Sequence, residues 1–89
     1  MATGGGQHEH RGRRAVQRLV EYAPASGSLA LWVAHRDVTE DEARAHEAGR
    51  LPAWTDGRCI HYTPAFEDLG LEAQTGWVAH ELLHIALRH

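Results

Sequence analysis

The stretch Leu71-Glu72-Ala73-Gln74-Thr75-Gly76-Trp77-Val78-Ala79-His80-Glu81-Leu82-Leu83-His84-Ile85-Ala86-Leu87-Arg88-His89 decides how this chain reads. At about 100° per residue, Leu71, Val78, Leu82 and Ile85 fall on one apolar stripe. His80, His84, Glu81, Gln74 and Arg88 gather in a separate polar wedge. The spacing predicts a helix over Leu71–Arg88, the strongest in the chain. Gly76 inside it costs about 1 kcal/mol against Ala, so a close strand or helix approach is expected there.

Within that helix stands His80-Glu81-Leu82-Leu83-His84, an H-E-x-x-H motif. Residues four apart share a helix face, so two imidazoles can grip one ion. Zinc accepts neutral imidazole and, in reactive centres, keeps a position open for water. The residue after the first histidine is rotated by about 100° and stays out of the coordination shell. A carboxylate there can take the proton of a zinc-bound water, whose pKa falls to about 7. His80 and His84 are therefore the expected ligands and Glu81 the expected general base. The bland reading is a buried helix whose polar wedge faces solvent. His89 invites assignment as a third ligand. On a continuous helix it points about 180° from His80 and about 140° from His84, so it is not expected to coordinate.

Outward from the motif, 89 residues suggest one domain with a small core. The hydrophobic fraction of 43% and charged fraction of 24% are ordinary for a globular protein. A net charge of -3 argues against a nucleic-acid surface and a polybasic membrane anchor. The single cysteine excludes an internal disulfide. Met1–His10 has no apolar core of a signal peptide, and no apolar run approaches the ~20 residues of a membrane span. A reducing cytoplasm is the expected compartment. Eight histidines is a high count for this length.

Gly-rich residues 1–11 read as a disordered tail. Val16, Leu19, Val20 and Ala23 give a helix over Arg13–Ala23, stopped by Pro24. Ser28–Val38, apolar on both alternating sets, reads as a strand covered on both faces. Thr39-Glu40-Asp41-Glu42 fits a capping box opening a short helix through Ala48, with Gly49 as its C-cap. Asp56-Gly57 between Leu51–Thr55 and Arg58–Thr63 signals a hairpin. Pro64–Leu69 reads as a turn or one helical turn.

Other residues carry weaker expectations. Arg58–Thr63 is a candidate edge strand for an extended peptide, weighed evenly against an ordinary hairpin strand. His61 is expected in solvent, and His35 and His46 at the surface. Cys59 reads as a small core residue with no base near it in sequence. His8-Glu9-His10 has no scaffold to hold a metal. Trp32, Trp54 and Trp77 read as core or interface anchors.

The stretch Thr55–His89 resembles a bacterial family, the metallopeptidase domain usually found ahead of a von Willebrand factor A-like domain. The carriers are Thr55-Asp56-Gly57, Arg58-Cys59-Ile60-His61-Tyr62, Pro64, Phe66 and the run Gly76–His89. About 35 residues match closely, and a looser match reaches back to Leu29–Val33. The resemblance implies a zincin-like helix beside a small sheet, a bound zinc, a peptide or protein substrate, and company with MoxR-type AAA ATPases. Thr63 stands where the family commonly has Asn. The family continues into further helices, with an Asp suited to be a third ligand, so the chain reads as truncated.

The expected fold is α+β: a small antiparallel sheet, an N-terminal helix, and a long C-terminal zinc-binding helix in 12–89. The expected function is zinc-dependent peptide hydrolysis. The alternative is a non-catalytic zinc-binding or protein-interaction module left by truncation. A complete third ligand, from His89 or from beyond the chain end, separates the two.

Overall fold

The computed structural model describes residues 10–87. In order come α1 (Arg13–Tyr22), α2 (Pro24–Trp32), β1 (Ala34–Asp37), α3 (Glu40–Ala45), β2 (Ala53–Thr55), β3 (Cys59–Tyr62), a 3-10 turn (Pro64–Asp68) and α4 (Leu71–Leu87). The α+β class is as expected. Among the described residues no helix is long and apolar enough to cross a membrane.

The strand order is β1-β3-β2. β2 and β3 form the antiparallel hairpin, pairing Trp54 with His61. β1 runs parallel to β3, pairing His35 with Ile60. The sheet is therefore mixed, which corrects the expected antiparallel one. Parallel neighbours need a long crossover, and here α3 and β2 fill it. β3 is central and paired on both sides, so it offers no open edge to a peptide.

The expected strand over Ser28–Val38 is the other correction. Pro24 ends α1 but also sits in the first turn of α2, where its missing N–H costs nothing. The apolar run Leu29–Val33 suits either structure, since a short run cannot be told apart by period alone. Gly27 and Ala30 bury a helical face, and strand geometry begins only at Ala34.

Alternation along β3 sorts two cores. Ile60 and Tyr62 face α1, α2 and α4, and join Val16, Leu19, Phe66, Val78 and Leu82. Trp54, Val38 and Ala43 form a smaller cluster. The Thr39–Glu42 capping box is present, with reciprocal bonds of 3.1 and 2.8 Å. α3 ends at Ala45, earlier than expected, and its cap is His46. The hairpin turn is centred on Gly57-Arg58, one residue beyond the expected pair. Asp56 N–H donates to Cys59 O, Gly57 takes φ 96°, and the Asp56 carboxylate accepts from the N–H groups of Arg58 and Cys59.

Of the expected tail 1–11, residues 1–9 lie outside the described residues. The last two are packed. His10 is buried and stacks on His35 at 4.2 Å. Arg11 donates from Nη1 to Val38 O and Tyr62 O at 2.8 and 2.9 Å and pairs with Glu67. It thereby ties the ends of β1 and β3 to the 3-10 turn. Thr63 Oγ1 lies 3.1 and 3.0 Å from Leu51 O and Pro52 O, so the hydroxyl holds the loop before β2.

Tyr62 is fully buried at the middle of this frame. Its hydroxyl donates to His35 Nδ1 at 2.8 Å, while His35 Nε2–H donates to Ala30 O at 2.7 Å. His35 is therefore an interior link, not the surface residue expected. Gly12 passes over the Tyr62 ring, where an added Cβ would lie 2.3 Å from Cζ. Gly12→Ala is expected to destabilise the fold by about 1–3 kcal/mol, the usual cost of overpacking, in urea unfolding.

Burial holds the His35 pKa below its ordinary 6.5, against the opposing bond to Ala30. The unfolded chain therefore binds this proton more readily than the folded one. The contribution of His35 is complete above pH 6.5 and is lost as pH falls toward the lowered folded value. Unfolding midpoints from about pH 8 to about pH 5 are expected to fall toward acid more steeply in wild type than in His35→Gln.

Candidate metal centre

α4 is positioned by burial of Val78 and Leu82 in the main core. A second anchor is Gln74, whose Nε2–H donates to Phe66 O at 2.9 Å. Gln74 thus ties α4 to the 3-10 turn and is not part of the polar site expected from sequence. Thr75 bonds back to Leu71 O within the helix.

With this rotation, His80 lies exposed and His84 half-buried on the outer stripe. Their Nε2 atoms are 3.0 Å apart, with the rings nearly perpendicular. The structure therefore brings the two predicted ligands together. Two nitrogens holding one tetrahedral ion at ~2.0–2.1 Å would stand about 3.3–3.4 Å apart. The observed spacing needs only a small opening to meet that. The donor chemistry fits a borderline-soft divalent ion such as zinc.

The match is half of a coordination shell. Among the described residues no group of three or more His, Cys, Asp or Glu is placed to hold a metal. His89 and Arg88 lie outside the described residues.

Glu81 departs from the expected picture. The bland reading has the polar wedge facing solvent, yet Glu81, the expected general base, is only 5% exposed. Its position, three residues after Val78 and next to Leu82, turns it toward the core edge. Burial raises its carboxyl pKa, with His80 and His84 acting in the opposite direction. No side-chain hydrogen bond reaches it among the described residues. The Tyr62 hydroxyl is pushed far up by burial first, then by Asp37, Cys59 and Glu81.

The remaining candidates sort plainly. Cys59 is half-buried, and burial raises its thiol pKa, reinforced by Asp56 and opposed by Arg36. A raised thiol is not an activated nucleophile. His61 is not in solvent as expected. It stacks on Trp54, its Nε2–H donates to Asp56 at 3.3 Å, and its buried Nδ1 has no partner among the described residues. His46 is exposed and also stacks on Trp54, at 4.4 Å between ring centroids. Trp77 is half-buried, edge-on to His80, whereas Trp32 is 86% exposed. The His35–Tyr62 link went unseen because its partners are 27 residues apart and no local pattern joins them.

The family described as "Putative metallopeptidase domain" matches residues 7–89. No curated protein and no solved structure matches the chain.

Burial of most of the Glu81 side chain disfavours its ionised form and so costs stability at neutral pH. Glu81→Leu in the metal-free protein is expected to raise the melting midpoint by about 3 °C, as read by circular dichroism.

Proposed function

We propose, from the premise that the chain belongs to this metallopeptidase-domain family, that α4 is the metal helix of a zinc-dependent centre for peptide-bond hydrolysis. The observation that carries the proposal is the 3.0 Å convergence of His80 Nε2 and His84 Nε2. A family match alone would not require those two nitrogens to meet.

His80 and His84 would hold the ion as neutral imidazoles. Bound zinc would supply an activated water and polarise the substrate carbonyl. Glu81 lies on the next residue, rotated off the ligand stripe by about 100°. Its carboxylate would accept a proton from the ion's water without joining the ligands, and its 5% exposure supports that role by limiting competition from bulk water. The substrate on this reading is a peptide or protein.

Only two donors are found among the described residues. That observation favours a second reading, a zinc-binding module without catalysis. Metal content after dialysis, together with turnover of a peptide library, separates the two. Wild type is expected to retain zinc, and His84→Ala to lose at least roughly tenfold in affinity. Glu81→Gln is expected to keep its zinc and lose turnover by about 10²–10⁴-fold. Equal zinc in wild type and His84→Ala would remove the site. Zinc retention with no turnover in wild type would select the non-catalytic module.

A further inference from the structure

We propose that the concavity on α4 formed by Ala73, Gly76, Trp77 and His80 is the subsite for an apolar side chain of the peptide substrate, with Gly76 as its floor. The proposal rests on the metallopeptidase reading and names a substrate preference for it.

The first observation is a glycine the fold does not need. Gly76 lies inside the 17-residue helix α4, where Gly costs about 1 kcal/mol against Ala. Close packing is the usual reason for such a residue. Here a Cβ built on Gly76 meets nothing within 4 Å. The expected close approach of a strand or helix is absent among the described residues. The missing side chain leaves space on the outer face.

The second observation is the shape of that space. The depression is shallow and open to solvent, about 410 Å³ in volume, and its lining is apolar apart from His80. Trp77 forms one wall and meets the His80 ring edge-on at 6.3 Å between centroids. No Asp, Glu, Lys or Arg lines it, so a charged side chain would find no partner there. An aromatic or large aliphatic side chain would cover the Trp77 ring and the bare backbone at Gly76.

The third observation is its place relative to the two ligands. At about 100° per residue, Ala73, Gly76, Trp77, His80 and His84 fall on one stripe of the helix. Gly76 lies four residues before His80, about 6 Å along the axis. An extended peptide advances about 3.3 Å per residue. A side chain one or two residues from a carbonyl held at His80 and His84 therefore reaches the shelf.

The test uses the full chain loaded with zinc and two zinc-chelating probes in calorimetric titrations. Acetohydroxamate reports the metal alone. A hydroxamate carrying a benzyl side chain reports metal and shelf together. In wild type the benzyl compound is expected to bind at least roughly tenfold tighter, the worth of one good apolar contact. Gly76→Leu fills the shelf from an open position, and its fold is checked by the melting midpoint. In this variant the advantage is expected to fall to about threefold or less, with acetohydroxamate affinity unchanged. Gly76→Ala, which favours the helix, is expected to lie between. A benzyl advantage that survives in Gly76→Leu, or is absent in wild type while acetohydroxamate binds, overturns the subsite alone. Failure of acetohydroxamate to bind zinc-loaded wild type overturns the metal reading and the subsite with it.

Discussion

The rotation of α4 about its own axis is the constraint on which the site depends. Val78 and Leu82 are almost fully buried, and full burial of such side chains contributes roughly 1.5–3 kcal/mol each. A turn of the helix by one residue would expose both. That energy locks the azimuth of every other side chain on the helix. His80 and His84 must then face outward, Glu81 must sit at the core boundary, and Gly76 and Trp77 must share the histidine stripe. The convergence of the two histidines follows from apolar packing on the opposite face.

What α4 packs against is held just as firmly. Tyr62 lies between Gly12, His35 and Phe66, and its strand pairs on both sides. Arg11 closes the far ends of β1 and β3 through two backbone carbonyls. A small domain has little core to spare, and this one supplements it with a few polar links between segments distant in sequence. The platform under α4 is therefore fixed partly by residues that ordinary hydrophobic patterning does not reveal.

The features legible in the sequence are those with short-range causes. The capping box at Thr39 and Glu42, the existence of the β2–β3 hairpin (though its turn sits one residue later, on Gly57-Arg58) and the α4 helix each rest on residues a few positions apart. The motif itself is local, so His80 and His84 could be placed on one face before any fold was known. The strand order was not legible, because β1 joins β3 across an intervening helix and strand. The run Leu29–Val33 misled because an apolar stretch of that length satisfies a strand and a helix equally. Only the spacing of Gly27 and Ala30 against α1 decides it, and that is a tertiary fact. His35 and His61 misled for a related reason. A histidine is read as a surface residue by default. The partner that compensates His35 is Tyr62, 27 residues away, and His61 is covered by Trp54 and Asp56 across the hairpin.

Glu81 shows why the motif's spacing and the fold's packing belong together. A general base must be near the ion yet outside its coordination shell, and it works best where bulk water does not compete for the proton. On a helix whose paired histidines face outward and whose core residues face inward, one azimuth meets both conditions. That azimuth is the boundary between the two stripes. The position after the first ligand is also three before the second and three after Val78, so it falls on that boundary. The helix period that brings the two histidines to 3.0 Å thus also sets the carboxylate into the edge of the core. Its poor solvation, costly for stability, follows from the same geometry that would make it useful.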